Sequence, residues 1–371
     1  PLLAKSPNPS ERALLIVRLS DSELKEQLLV QQFQAERDAS IRQAIVILLG
    51  NVEAGENADQ REDSIRSLEQ AYLLDGDAGV HSAIAWTMRQ WQQAHRIQQL
   101  DTQLISDLHG QFSHERNWTV NSAGQTLVEV GGASNEPYQT QQGPPYTLAV
   151  AATEITFKDF RAFRSDHHQN LQYGADAQCP ANNISWYDAV QYCNWLSRQD
   201  GLIPCYKVKC DEGSKTAGYP RVDIPQDFQT RTGYRLPTEA EWERLCRSGA
   251  LTEYSFGDNI SLLTDYAWSA KNSENKTWPV GARLPNLSGM FDVHGNVWEW
   301  CHCLQNVDDR ASEQTVGQQA PRLLCGGAFD NVVTRVKCTD RLVHLPTEAK
   351  YSYGFRTVRT VPASTVPANS N

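Results

Sequence analysis

Phe291-Asp292-Val293-His294-Gly295-Asn296-Val297-Trp298-Glu299-Trp300 is the densest signal in the chain, and its reading decides the fold. Side chains alternate across a strand, so Trp298 and Trp300 share one face while Val297 and Glu299 share the other. Two indoles on one face demand a large apolar surface to cover them. Downstream, Cys325-Gly326-Gly327-Ala328-Phe329 is followed by Gly354-Phe355-Arg356-Thr357-Val358-Arg359, which has the pattern of a closing strand. From Val361 the chain is rich in Pro, Ser and Asn, and a disordered tail over 361–371 is expected.

Upstream of the tryptophan strand, three helix starts use one device. Thr156-Phe157-Lys158-Asp159, Ser185-Trp186-Tyr187-Asp188 and Thr238-Glu239-Ala240-Glu241 each put a hydroxyl at the N-cap and an acid three residues on. The second helix carries Ala189, Tyr192, Cys193 and Leu196 on one face, and the third carries Trp242, Leu245 and Cys246 before Gly249. Cys193 and Cys246 are expected as small core residues, with a helix–helix disulfide as the alternative. Gln125 to Val130 has the pattern of a strand ended by Gly131-Gly132, and 135–146 that of a loop.

Before Trp118 the composition is different. Residues 11–19, 40–50 and 61–74 are rich in helix formers with apolar residues three and four apart. Asp38-Ala39-Ser40-Ile41-Arg42-Gln43-Ala44-Ile45 is echoed by Asp77-Ala78-Gly79-Val80-His81-Ser82-Ala83-Ile84, an offset (38 to 77) of 39 residues. That is near the period of HEAT-type helical pairs, with Asp as N-cap and branched residues at the stacking surface. An irregular bundle is the alternative. His81, His95, His109 and His114 lack metal-type spacing.

Bulk properties exclude several classes. The net charge is -10, which disfavours a phosphate backbone or an anionic membrane as partner. No apolar run approaches the ~20 residues that span a bilayer, and a cytoplasmic location is expected. The start Pro1-Leu2-Leu3-Ala4-Lys5 suggests a piece of a longer protein. Nine cysteines, all after residue 178, do not form a small secreted framework.

Five separated motifs carry a family resemblance: Asn183-Ile184-Ser185-Trp186-Tyr187-Asp188-Ala189, Gly233-Tyr234-Arg235-Leu236-Pro237-Thr238-Glu239-Ala240-Glu241-Trp242-Glu243, Gly295-Asn296-Val297-Trp298-Glu299-Trp300, Gly326-Gly327 and Gly354-Phe355-Arg356. Together they resemble the formylglycine-generating enzyme (sulfatase-modifying factor) family over about 118–360. The resemblance implies an α+β, C-type-lectin-like domain with little regular secondary structure over 116–360, here preceded by an all-α HEAT-like domain over 1–115.

The resemblance also implies chemistry that can be checked residue by residue. Active relatives hold copper(I) on two cysteine thiolates placed after the Gly-Gly pair, and those places fall here on Asn331 and Val336. Copper-dependent oxidase activity is therefore not expected, although a divergent oxidase using a shifted Cys325/Cys338 pair is the alternative. An iron-dependent branch needs a His-x-x-x-His-x-Glu run that the N-terminal helices lack. Cys301-His302-Cys303 is too tightly spaced for a usual zinc site. For calcium, the resemblance points to Asp292, Gly295, Val297 and Glu299, two carboxylates and two carbonyls of the hard-oxygen kind; the alternative is that Glu299 only makes a hydrogen bond. The family's second calcium site is unsupported, since Trp268 takes a ligand position.

The leading expectation is a non-catalytic recognition module binding a protein or peptide. Asp330, Asn331, Arg335, Lys337, Asp340, Arg341 and His344 would line the binding surface between Gly327 and Gly354. Similar arrangements of helical repeats and this domain end bacterial Ser/Thr protein kinases and other signalling or defence proteins. A retroelement-diversified variable protein, which uses the same fold, is a further alternative.

Overall fold

The computed structural model describes residues 2–6, 8–53, 58–108, 110–113, 115–131, 146–209, 219–302, 314–317 and 319–362. The expected tail from residue 363 onward, most of the 135–146 loop, His109, His114 and Cys303 lie outside the described residues.

The helical region comprises α1 (Ser10–Ser20), α2 (Glu26–Ala35), α3 (Ala39–Gly50), α4 (Ala58–Leu74), α5 (Ala78–Gln90) and α6 (Ala94–Leu108). The echoed segments open α3 and α5. Asp38 accepts from the amides of Ser40 and Ile41, and Asp77 accepts from that of Val80, satisfying donors that a helix start leaves orphaned. The two helices lie together at the centre. Thr87 Oγ1 donates to the Val46 carbonyl at 2.7 Å, and Trp91 Nε1 donates to that of Leu49 at 3.2 Å. Gln43 to Leu49 and Ala78 to Met88 are buried without interruption, because other elements cover these helices on all sides. α2 packs on α3 and α4 packs on α5, so the echoed units are stacked helix pairs.

Beyond Trp118 three small sheets appear. β1 (Trp118–Val120), β2 (Thr126–Val130), β3 (Thr147–Ala151), β12 (Val358–Val361) and β6 (Tyr234–Arg235) adjoin in that order. β10 (Arg341–His344), β9 (Arg322–Cys325), β7 (Trp298–Trp300) and β11 (Tyr353–Gly354) form a second sheet. β4 (Lys207–Lys209), β5 (Arg221–Ile224) and β8 (Gln314–Val316) form a third. β12 lies between β3 and β6, and the stretch 354–359 expected as one closing strand is split, with Gly354 in β11 of the second sheet and Val358 and Arg359 in β12 of the first. α7 (Phe157–Phe163), α8 (Trp186–Gln199) and α9 (Glu239–Arg247) all begin with complete capping boxes at Thr156, Ser185 and Thr238. α9 ends with Ser248 and Gly249 both at positive φ, 50° and 86°.

The tryptophan strand divides two cores. Trp298 and Trp300 face a cluster with Trp186, Tyr192, Cys193 and Leu196 of α8. Cys301, two residues past Glu299, faces the other cluster with Trp242, Leu245 and Cys246 of α9. That second cluster runs without a break into the helical region. At the seam Gln43 Nε2 donates to the Asn286 carbonyl at 3.0 Å, and Trp118 Nε1 donates to that of Asp75 at 2.8 Å. The His81 ring is stacked between Tyr72 and Trp118, with centroids 3.9 and 3.7 Å away. The change in composition near 115 therefore marks a change of architecture within one continuous core. A Cys193–Cys246 disulfide is not formed, because the two residues belong to different cores.

Candidate functional site

β7 holds Glu299 against Arg356, which follows β11. Arg356 Nε donates to Glu299 Oε2 at 2.7 Å and Nη2 to Oε1 at 2.6 Å, while Trp242 Nε1 adds a third donor to Oε2 at 2.8 Å. Both partners are fully buried. The same guanidinium also donates to the carbonyls of Ala151, Ala152 and Phe291, so it joins the first sheet, the loop before β7 and β7 itself. This fork-to-fork pairing explains why the Gly-Phe-Arg and Trp-Glu-Trp motifs occur together.

Two further carboxylates lie in the field of this pair. Glu154 accepts from Asn296 Nδ2 at 2.8 Å and from the Val297 amide at 3.1 Å, fixing the turn into β7. Asp292 Oδ2 accepts from the Gly281 amide at 2.7 Å, but its buried Oδ1 has no hydrogen-bond partner among the described residues. Three buried acids thus face one guanidinium. Burial, reinforced by the charges of Asp292 and Glu299, pushes Glu154 well above the usual carboxylate range. Burial likewise pushes Asp292 up to about 6, against the Gly281 hydrogen bond and the attraction of Arg356.

The four residues expected around calcium are therefore differently disposed. Glu299 has both oxygens engaged by Arg356 and Trp242. Gly295, at φ 85°, sits where a Cβ would overlap the Trp268 carbonyl, and Val297 lies beside Glu154. Of the two carboxylates, Asp292 is the one with an open oxygen. The orphaned Asp292 oxygen, in a cluster of buried acids, is of the hard-oxygen kind that a cation such as calcium takes. Trp268 stacks on Trp278 at 4.6 Å, with the Arg283 guanidinium 3.6 Å over its ring, so cationic and aromatic groups occupy the region of the family's other calcium site.

At the places that correspond to copper thiolates, Asn331 Oδ1 accepts from the Ala328 amide at 2.9 Å, closing a turn, and Val336 is fully buried. Each cysteine of the shifted Cys325/Cys338 pair has its sulfur in contact with a different cysteine. Cys338 Sγ contacts Cys246 Sγ at 3.2 Å, and Cys325 Sγ contacts Cys301 Sγ at 3.4 Å, with all four residues fully buried. His302 is buried too, stacked on Phe228 and hydrogen-bonded to Tyr206 at 3.1 Å.

The candidate recognition residues separate into three groups. Arg335, Lys337, Asp340 and Arg341 lie near α9. Arg341 donates to Glu239 at 2.7 Å and Glu243 at 2.8 Å, Lys337 pairs with Glu253 at 2.8 Å, and Asp340 accepts from the Lys337 amide at 2.8 Å. His344 pairs with Glu348 at 2.8 Å. Asp330 and Asn331 belong to a different face, beside half-buried Tyr173 and Tyr351, whose rings stack at 4.2 Å, with Phe329 5.8 Å from Tyr173. Burial raises the Asp330 carboxyl, and a hydrogen bond from Tyr351 partly offsets this. Exposed Val332 (60% accessible) continues this face.

The framework and its Gly, Trp, Glu and Arg positions can now be compared with known proteins. A family model described as the sulfatase-modifying factor enzyme 1-like domain matches residues 122–361. The chain belongs to this family. Among its relatives, the chaperone protein LppX of Paenibacillus barcinonensis is 30% identical over 198 residues, covering 47% of this chain and 69% of that protein. The serine/threonine-protein kinase pkn1 of Chlamydia pneumoniae is 31% identical over 215 residues, covering 56% of this chain but 28% of the kinase. The formylglycine-generating enzyme of Streptomyces coelicolor is 27% identical over 197 residues, covering 48% of this chain and 51% of the enzyme. The solved structure of Treponema denticola variable protein 1 shares the fold, with a TM-score of 0.51 and 24% identity over 64% of this chain and 95% of that one. Among the described residues no helix is long and apolar enough to cross a membrane.

Sequence reasoning missed Glu154, Tyr173 and Tyr351. Glu154 stands two residues before the Thr156 cap, and nothing in its local pattern says that it meets Asn296, 142 positions away. Tyr173 and Tyr351 sit in irregular segments without periodicity, where a family member's framework gives no local signal.

Proposed function

We propose that this chain is a non-catalytic member of the sulfatase-modifying factor family that recognises a protein or peptide segment. One observation carries this reading. The places of the copper thiolates hold a turn-forming amide and a buried valine, while the sulfurs of Cys246, Cys301, Cys325 and Cys338 contact one another inside the core. A thiolate copper oxidase needs soft ligands open to a substrate. The binding surface is the face around Tyr173, Tyr351, Asp330, Asn331 and Val332, where aromatic rings stand beside a carboxylate on loops braced by the core. The similarity to a protein named as a chaperone supports a protein ligand. The similarity to part of a serine/threonine kinase supports a place in a larger signalling protein.

The test has two arms. Copper(I) and a Cys-x-Pro-x-Arg peptide should give no mass loss of aldehyde formation; turnover by the chain would overturn the reading. Selection from a random peptide display library should yield binders that lose at least tenfold in affinity to the Tyr351→Ala or Asp330→Arg variant. Binders indifferent to both would move the surface elsewhere.

Calcium enters the same proposal as a structural ion at Asp292, supported by the orphaned Oδ1 and the surplus of buried acid. Gly295 and Val297 would supply carbonyl oxygens, and Glu299 would stay with Arg356. Bound calcium by elemental analysis, and a melting temperature lowered by chelator, are the expected results. Absence of both rules the ion out.

A further inference from the structure

The face that carries Tyr173 and Tyr351 differs from its surroundings in how its charge is balanced. Asp330 is half-buried, and among the described residues it forms no ion pair. Its partners are neutral donors: the Tyr351 hydroxyl, its own backbone amide, and Asn331 Nδ2 at 3.3 Å. The cations of the flanking segments are engaged elsewhere, Lys350 with Glu348 at 3.3 Å, Arg335 with Asp340 at 3.8 Å and Lys276 with Glu274 at 2.9 Å. Burial raises the Asp330 carboxyl, as expected of a charge drawn out of water without a counter-charge.

The rings repeat the pattern. Lys350 lies over Tyr353 at 5.3 Å and Lys276 over Trp278 at 4.4 Å, whereas among the described residues no cation lies over Tyr173 or Tyr351. Tyr351 stacks on Tyr173 at 4.2 Å, and Phe329 meets it tilted by 51° at 5.9 Å, so no ring stacks on its second face. A phenol face is electron-rich, and beside a carboxylate it attracts a cation. The backbone beneath is fixed in advance. The Thr277 amide and Oγ1 both donate to the Tyr173 carbonyl at 2.7 and 2.6 Å, Ser273 Oγ donates to that of Phe329 at 2.8 Å, and the Ala270 amide donates to that of Asn331 at 2.9 Å. Leu171 and Val332, each 60% accessible, stand two residues from Tyr173 and Asp330 in the chain and add apolar surface.

We propose that this face holds a lysine side chain of the bound peptide, its methylenes on the Tyr351 ring and its ammonium on Asp330. The proposal rests on the reading of this face as the binding surface. It selects an ammonium over a guanidinium for a stated reason. A carboxylate offers about four acceptor positions. On Asp330 the tyrosine hydroxyl, the Asn331 amide and the residue's own N–H already use part of that capacity. The paired donors of a guanidinium need two free positions on one carboxylate, whereas an ammonium is a point charge that needs one. The net charge of -10 favours the approach of a basic segment.

The experiment uses the full chain and the strongest binder from a random peptide display library. Sequenced binders should be enriched in lysine at one position. Replacing that lysine by norleucine, which keeps the methylenes and removes the charge, should weaken binding to the unmutated chain by at least about tenfold. Replacing it by arginine should also weaken binding. The norleucine and lysine peptides should bind Asp330→Asn equally. The peptide comparison on the unmutated chain stands even where that variant fails to fold. Binders that lose affinity in Tyr351→Ala yet carry no basic residue, a norleucine peptide that binds as tightly as the lysine peptide, or an arginine peptide that binds tighter would each overturn the proposal and leave the binding surface standing. Binders indifferent to both Tyr351→Ala and Asp330→Arg would overturn the surface itself and this proposal with it.

Discussion

Replacing Glu299 by Gln separates the two roles that residue could play. The change keeps the shape of the side chain and removes its charge. Glu299 receives two bonds from Arg356 and one from Trp242, at 2.6, 2.7 and 2.8 Å, and the pair is fully buried. After substitution the guanidinium remains charged, its carbonyl acceptors neutralise nothing, and one of its N–H groups faces an amide that must divide between donor and acceptor. Breaking a buried pair by removing one partner costs about 3–5 kcal/mol. In a domain this size that is a fall in melting temperature of roughly 10 °C. Urea unfolding of both proteins, each with calcium and with chelator, provides the measurement. A framework lock predicts the same loss in both media, whereas a calcium ligand predicts a loss that vanishes in chelator. A Glu299→Leu/Arg356→Met double variant should recover much of the stability, because apolar packing can replace a buried ion pair. A loss below ~1 kcal/mol, or one confined to calcium, refutes the assignment of Glu299 as partner of Arg356.

Two buried groups, Asp292 and His81, give the stability a pH dependence. With calcium chelated, the Asp292 carboxyl, raised from 3.8 to about 6, is more readily protonated folded than unfolded, so it contributes stability at low pH that is lost as pH rises from about 4 through 6. Asp292→Asn should flatten that slope in denaturation curves taken across this window, and an unchanged slope would remove Asp292 as its source. His81, lowered to about 3 chiefly by burial, is held neutral between Tyr72 and Trp118, so its contribution is full above about 6.5 and lost as pH falls towards 3. His81→Phe keeps a ring in the stack and should make the chain less sensitive to acid between pH 6 and 4; equal acid sensitivity would contradict the stacked-neutral reading.

What the sequence disclosed about the fold was what short-range chemistry encodes. Each capping box needs only a hydroxyl and an acid three residues apart, and all three form. The tryptophan strand follows from alternation, and the paired helix starts from the aspartates at 38 and 77. α2 has a weak local signature, since Lys25 gives it no side-chain cap; α6 was legible, since Ile97, Leu100, Leu104, Ile105 and Leu108 recur at helical spacing. The stack of Tyr72, His81 and Trp118, the acids around Arg356 and the contact of Cys246 with Cys338 depend on encounters across tens to hundreds of residues. Residue type alone gave no preference among nine cysteines.

The candidate binding residues were chosen for charge between two glycine motifs, and the structure shows why charge alone is a poor guide there. Arg341 closes on Glu239 and Glu243 and lies 5.8 Å from the Trp242 ring, Lys337 closes on Glu253, and Asp340 accepts from the chain's own backbone. These groups spend their electrostatics on fastening the segment to α9. To bind a partner they would first have to give up internal ion pairs, which makes them weak sources of affinity whatever their exposure. Tyr173 and Tyr351 face the opposite balance. Their stacked rings are half-buried against Phe329, so the loops that bear them lose little freedom on binding, and apolar area still meets solvent beside Asp330. A partner should therefore depend more on these two tyrosines than on any cation between 335 and 341, and comparing Tyr351→Ala with Lys337→Ala against one selected peptide would expose the reverse ordering if the argument is wrong.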